Sequence, residues 1–599
     1  MTGNCHPPIT KLQGESDMLF PVENEIRQVK NLSGIWKFRK EEKLGQGFEE
    51  KWYAQPLLKT VEMPVPASYN DITTDKELRD HVGWVWYERE FAIPRDWSNQ
   101  RMVLRFGSVT HHAVVYVNGK EVTAHKGGFL PFEVQINDHV MPGNNRVTVA
   151  VSNMLDHTCL PFGIIKDADP AYFPEGEKSQ KYAFDFFNYS GIHRPVRIYT
   201  TPENYIKDIT VTTDICGGDG IVNYRVQLEG ETDNCYISLR DESGATVAET
   251  NGTEGKLLVP NAKLWDVRAA YLYQLDIQAG EDHYTLPVGI RTVETTETQL
   301  LLNGKPVYLK GFGKHEDSDI KGKGLDEAIN VRDFELLKWI GANSFRTSHY
   351  PYSEELMQMA DRQGFLVIDE VPAVGMNFWK KEAVFVDGLA DRETMEHHKT
   401  VLSELYQRDK NHPCVIAWNV SNEAQTQDAN ALAYFEEVVA HIRALDDTRP
   451  ICNVTDNTAD VDTVGHLFDM VGLNRYYSWY YDLANLKSIY PKLTSHFRAW
   501  HEKIRKPIFM SEYGADTIAG NHKLPEAIFS EEYQIEFYKE NHRALDDCEF
   551  VIGEHPWAYA DFMTSAGLKR FDGNKKGIFT RQRQPKSVAF LFRERWHNK

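Results

Sequence analysis

The chain has 599 residues, 41% of them hydrophobic, which is enough to bury several cores and favours more than one domain. Its 67 Lys and Arg against 87 Asp and Glu leave a formal charge of −20, a field that repels nucleic-acid phosphates and anionic membrane surfaces. Nucleic acid is therefore not an expected partner, and any acidic ligand has to be held by cations placed locally for it.

The first twenty residues, MTGNCHPPITKLQGESDMLF, lack a basic head followed by an apolar core. No later segment approaches the roughly 20 apolar residues of a membrane span. A cytoplasmic protein without a membrane partner is expected. The cysteines, at 5, 159, 216, 235, 414, 452 and 548, are odd in number and scattered, without the spacing of a disulfide framework or a zinc site. They are expected to be reduced and mostly buried.

From about 20 to 200 the chain shows short alternating runs such as MVLRFGSVTHHAVVYVNGKEV and NRVTVAVSN. Asn118-Gly119 and Pro142-Gly143 punctuate them as turns, the pattern of an all-β sandwich. Between about 205 and 294 shorter strands follow (DITVTTDI, IVNYRVQLEG, NCYISLRD, YLYQLDIQ), with the length and strand density of an immunoglobulin-like sandwich.

After about 296 strands alternate with long amphipathic stretches. The strand candidates lie at 306–313, 343–349, 365–370, 415–423, 451–456, 470–477, 507–514 and 551–562. Helical runs between them include NVRDFELLKWIGA, SEELMQMADRQG, RETMEHHKTVLSELYQRDK, NALAYFEEVVAHIRALD and EEYQIEFYKENHRALDD, with PKSVAFLFRERW closing the chain. Eight βα units in about 300 residues predict a (β/α)8 TIM barrel.

In such barrels the chemistry sits at the C-terminal ends of the strands, so the polar residue ending each apolar run is the one to inspect. Glu423 ends the fourth run and Glu512 the seventh. Two carboxylates about 5–5.5 Å apart suit glycoside hydrolysis with retention of configuration. Taken singly, either could be a solvated loop residue.

At these residues the sequence resembles glycoside hydrolase family 2 and, within it, the bacterial β-glucuronidases, from about residue 20 to the C-terminus. The similarity is carried by WNVSNE (418–423), SEYG (511–514), DFFNYSGIHRPV (185–196), RTSHYPY (346–352), LNRYYSWYY (473–481) and GNKKGIFTR (573–581). The resemblance implies a retaining exo-β-glucuronidase, with Glu512 as nucleophile and Glu423 as general acid/base. A β-galacturonidase or another family 2 β-glycosidase is the alternative. It further implies that Asn422 donates to the sugar 2-hydroxyl and that Asp185, from the first sandwich, holds distal hydroxyls with His315. Asn474, Tyr476 and Tyr480 would shape the site around Glu512, while Trp557 and Arg570 would face the carboxylate end of the sugar. Asn574 and Lys576 match the Asn-x-Lys pair by which these enzymes hold the uronate carboxylate. Ala424 stands where the familiar motif has proline, and segment 377–392 is shorter than the long active-site loop of the best-known members.

His315 sits in GKHEDSD, whose composition suits an exposed acidic turn better than a metal site, since no second His or Cys stands at ligand spacing. DGNKKG (572–577) read alone is an exposed turn. Only its place after the eighth strand gives it a binding role. The expectation is a jelly-roll-like sandwich over 1–201, an immunoglobulin-like sandwich over 202–295 and a catalytic TIM barrel over 296–599. Neither metal nor organic cofactor is needed, small-molecule glucuronide conjugates are the expected ligands, and the resemblance implies a homotetramer or other homo-oligomer.

Overall fold

Alternation along Trp84–Ile93, interrupted only at Arg89, shows how the first unit is built. Val85, Tyr87, Phe91 and Ile93 point into the space between two antiparallel sheets, where they meet Trp36, Phe38, Leu104, Val115 and Ile198. Trp84 and Trp86 point the other way, into a second aromatic cluster with Trp52, Tyr116 and Met154. The sheets have six and four strands. Asn118 and Gly119 carry φ of 51° and 83°, the mirror-image turn that a two-residue hairpin needs, and join His112–Val117 to Lys120–Lys126. The computed structural model describes residues 19–169, 171–172, 177–231, 234–378 and 383–599. Cys5, most of the N-terminal stretch read above and residues 379–382 of the short loop lie outside them.

The second unit is a sandwich of three and four antiparallel strands, from Tyr205–Cys216 to Asp282–Val288, around Ile209, Val222, Ile237, Leu275 and Ile277. It grips the barrel from below. Arg291 donates to the carbonyls of Pro413 and Val415 at 3.0 and 2.7 Å, and Asn411 exchanges hydrogen bonds with Ile209 and Val211.

The third unit is a closed barrel of eight parallel strands, and all eight sequence candidates contain one of them. The helices start where the chain supplies caps: Asp326, Ser353, Asp391 and Ser530 each accept backbone N–H bonds at a helix N-terminus. A helix at Ile489–Ile504, absent from the sequence reading, covers the sixth crossover. Its buried residues Ile489, Leu493, Phe497, Trp500 and Ile504 recur every three or four positions, and Pro491 falls in the first turn, where its missing N–H costs nothing. Between the fifth and sixth strands only a short 3-10 turn, Gly465–Leu467, stands in place of a helix.

The first unit docks on the mouth of the barrel. Arg105 pairs with Glu354 and Arg197 with Glu355, at 2.8 and 2.7 Å, while Arg194 donates to the Pro351 carbonyl at 2.6 Å. The loop carrying Asp185 is pinned there by the Phe187 N–H, which donates to the Met563 carbonyl at 2.9 Å. Among the described residues no helix is long and apolar enough to cross a membrane. The six described cysteines are unpaired, and of these only Cys216 is exposed.

Candidate active site

The fourth barrel strand, Val415–Asn422, is buried throughout, and Glu423 is the first residue beyond it. Its φ of 52° puts the chain in the left-handed region, which a non-glycine residue adopts only when its surroundings hold it there. The holding contacts are the Glu423 N–H to the Val454 carbonyl and the Asn377 side-chain amide to the Glu423 carbonyl, both 2.9 Å. Glu512 ends the seventh strand, Ile508–Glu512. Two residues on, Gly514 is required by packing, since a Cβ there would lie 2.1 Å from the Trp557 carbonyl oxygen. Glu423 and Glu512 face one cavity of about 640 Å³ at the C-terminal ends of the strands, large enough for a sugar and part of its substituent.

The two carboxylates have different neighbours. Asn474 donates to Glu423 Oε1 at 2.8 Å and to Asn422 Oδ1 at 3.2 Å, and its own oxygen accepts from Ser511 at 2.8 Å, which fixes the amide orientation. Glu512 accepts from Tyr476 at 2.7 Å on one oxygen and from Arg346 on the other. His349 Nε2 lies 3.7 Å from that second oxygen. Burial and the Glu512 charge push the Tyr476 phenol well above its usual range, so it remains a donor.

Arg346 also pairs with Glu370, the carboxylate that ends the third strand. His349 Nδ1 contacts Glu370 at 2.7 Å, and Asn419 donates to it as well. Burial would raise the Glu370 carboxyl, but Arg346 and His349 outweigh it and hold it below the usual range. Glu370 is wholly enclosed and does not line the cavity, so its work is to orient Arg346.

At the opposite end of the cavity Arg570 makes a two-pronged contact with Asp185, at 2.9 and 2.5 Å, and donates to the Tyr480 hydroxyl at 2.7 Å. Asn574 donates to Asp185 at 2.9 Å. Lys576 is fully buried, donates to Tyr480 at 2.8 Å and pairs with Asp516. Burial would raise the Asp516 carboxyl, but Lys576 and Arg570 hold it below its usual range. His315 Nδ1 contacts the Tyr350 hydroxyl at 3.0 Å, and its Nε2 has no partner, a buried polar atom that a sugar hydroxyl would satisfy. Burial, with His349 and nearby cations, keeps that imidazole neutral by pushing it well below its usual range.

Of the residues singled out in the sequence, Asp185, Asn422, Glu423, Asn474, Tyr476, Tyr480, Glu512, Trp557 and Arg570 line the cavity. His315, Asn574 and Lys576 stand just behind its wall, in contact with Trp557, Asp185 and Tyr480 respectively. The sequence reading missed Arg346, His349, Glu370, Asp456 and Asp516. Arg346, Glu370 and Asp456 each end or directly follow a barrel strand, so the rule that found Glu423 and Glu512 reaches them too.

Asp361, His412 and Cys414 form a cluster of potential metal ligands at the opposite end of the barrel, where the fourth strand begins. Burial opposes the charged imidazole of His412, but Asp361 at 2.5 Å pushes it up to about 9. An imidazolium that donates its Nδ1–H to the Asp361 carboxylate is an ion-pair member and a poor metal ligand.

Residues 29–202 match the sugar binding domain of glycosyl hydrolases family 2, 204–291 match a further domain of the same family, and 293–599 match its TIM barrel domain. A β-glucuronidase of Paenibacillus borealis is 51% identical over 97% of this chain and 98% of its own length. The human β-glucuronidase is 46% identical over 98% of this chain and 93% of its own. Among solved structures, a β-glucuronidase from an uncultured Clostridium species superposes with a TM-score of 0.94 at 59% identity, covering 97% of this chain and all 100% of that one. The Ruminococcus gnavus β-glucuronidase in complex with D-glucaro-δ-lactam does so at 0.91 and 44% identity, covering 97% and 100%. Three consecutive domain matches and relatives alike along nearly their whole length place the chain among the glycoside hydrolases of family 2.

Proposed function

We propose that the protein is a retaining exo-β-glucuronidase that hydrolyses β-D-glucuronides to glucuronic acid and an aglycone. The observation that carries this reading is the pairing, across one cavity, of two strand-end carboxylates with a cationic cluster at the far end. That cluster is Arg570 and Lys576 with Asn574, and it answers how a chain of charge −20 receives an anionic sugar. Relatives named β-glucuronidase point the same way.

In the first step Glu512 attacks the anomeric carbon while Glu423 gives its proton to the leaving oxygen; in the second, Glu423 takes a proton from the water that releases the sugar. Arg346 and Tyr476 orient the Glu512 oxygens, and Asn474 orients Glu423. Asn422 would meet the 2-hydroxyl, with Asp185 and His315 at the distal hydroxyls. The same reading divides the chain at about 201 and 295, gives it a homo-oligomeric, tetrameric assembly and places it in the cytoplasm.

A panel of nitrophenyl β-glucuronide, β-galacturonide, β-glucoside and β-galactoside tests the sugar, and proton NMR of the first-formed product tests the stereochemistry. Glucuronide preference with the β-anomer appearing first is expected. A stronger galacturonide rate, or an α-anomer appearing first, contradicts it.

A further inference from the structure

Asp516 lies behind the cationic end of the cavity and contacts both of its cations. Its Oδ2 accepts from Lys576 Nζ and stands 3.5 Å from Arg570 Nη1, and its Oδ1 accepts the Lys575 N–H at 2.8 Å. It is 2% exposed and does not line the cavity. Resting on the glucuronidase reading above, we propose that Asp516 is the positioning residue for charge recognition: it holds Lys576 and Arg570 where a substrate carboxylate is received.

The case rests on what a buried ammonium needs. Without a counter-charge its burial loses hydration with nothing in return, and a four-carbon stem has no single place to stand. Asp516 meets both needs from the side away from the substrate. An ammonium has three donors; Asp516 and Tyr480 take two of them, and the third is left for an entering carboxylate. The rings of Tyr480, Trp479 and Tyr476, at 4.8, 5.4 and 5.8 Å from the same nitrogen, close the remaining approaches. Because Asp516 also binds the Lys575 backbone, the loop segment bearing Asn574 and Lys576 is located by the same carboxylate. An acid so placed could instead weaken the site by repelling the substrate, and the two roles differ in sign.

The test is a double-mutant cycle of Asp516→Asn and Lys576→Met, read as kcat/KM on p-nitrophenyl β-D-glucuronide and β-D-glucoside. Asparagine keeps the size of Asp516 and its Oδ1 acceptor for the Lys575 N–H, while the charged Oδ2 acceptor that faces Lys576 and Arg570 becomes an amide NH2. The glucuronide-to-glucoside ratio of kcat/KM is expected to fall at least about tenfold in Asp516→Asn, chiefly through the glucuronide KM. In the Lys576→Met background the same change should move the ratio by a clearly smaller factor, because only the part carried by the longer Arg570 contact remains. Equal loss on both substrates, an unchanged ratio, a lower glucuronide KM or an undiminished effect beside Lys576→Met each overturns the proposal. Wild-type enzyme is assayed first: no glucuronide turnover there defeats the functional reading and this inference with it. Glucuronide turnover with an unmoved ratio in Asp516→Asn defeats the inference alone. Should Asp516→Asn fail to fold, a crystal structure of the wild type with glucuronic acid decides the matter. Lys576 Nζ bonded to both Asp516 and the ligand carboxylate is the expected result, and a carboxylate held without Lys576 is the contrary one.

Discussion

Replacing Lys576 by methionine keeps the apolar stem and removes the ammonium, and its two consequences can be worked separately. A charge-assisted hydrogen bond to the substrate carboxylate contributes roughly 1.5–3 kcal/mol. At about 1.4 kcal/mol per tenfold, kcat/KM for a glucuronide should fall by roughly 10- to 150-fold. The neutral glucoside offers no carboxylate, so the selectivity ratio should fall by nearly the same factor. The fold also loses something, because Asp516 is 2% exposed and is left with only Arg570 and the Lys575 N–H. Breaking a buried pair costs about 3–5 kcal/mol, and the surviving partners put this case at the lower end. Converted at about 2 °C per kcal/mol for a large domain, the melting temperature should drop by about 5 °C or more. Steady-state kinetics on the two nitrophenyl glycosides, with a thermal melt of the same preparation, measure both. Near-native values on both counts would remove Lys576 from substrate recognition and from the stability of the fold alike. Equal loss on both glycosides would make Lys576 a structural residue and refute its role in specificity.

Glu423→Ala should damage substrates with poor leaving groups far more than activated aryl glucuronides, and added azide should restore part of the activated rate as a β-glucuronyl azide; uniform loss without rescue would point instead to another acid, with Asp456 the next carboxylate on the cavity wall. Arg346→Met should lower kcat by at least about tenfold with a smaller change in KM, because Arg346 orients Glu512 and is enclosed away from the sugar; an effect confined to KM would contradict that. The His412–Asp361 pair predicts a pH dependence of stability. His412 titrates at about 9 in the fold against about 6.5 unfolded, so its contribution is full below about 6.5 and disappears as the pH rises through 9. The melting-temperature gap between wild type and His412→Gln should therefore be widest near pH 6 and closed by about pH 9.5. A gap that widens with pH would refute the assignment.

The barrel was legible because most of its strands are short apolar runs closed by a polar residue, and four of its helices open on a side-chain cap, at Asp326, Ser353, Asp391 and Ser530. Ile489–Ile504 escaped notice although its apolar spacing is regular, since Pro491 and the aromatic residues around it mask the helix. In the second sandwich Thr246–Asn251 and Glu254–Val259 were missed because their outward-facing residues are mostly polar and few side chains mark the buried face. For the site, strand ends sufficed to find Glu423 and Glu512. Asp185 and Arg570 meet across 385 residues of sequence, and only the docking of the first sandwich onto the barrel mouth brings them together. No local pattern encodes that contact; the resemblance supplied the two residues, Asp185 with His315 and Arg570 with Trp557, but not their pairing. Asp516 was invisible for another reason. It neither ends a strand nor lines the cavity, and its role follows only from what Lys576 touches.

Two-carboxylate catalysis by Glu512 and Glu423 is the central claim, and trapping the covalent intermediate tests it most directly. A 2-deoxy-2-fluoro-β-glucuronyl fluoride should inactivate the enzyme with time, and peptide mapping should find one glucuronyl adduct, on Glu512 in the stretch PIFMSEYG. An adduct on Glu423 or Asp456, or turnover with no adduct at all, would contradict the account.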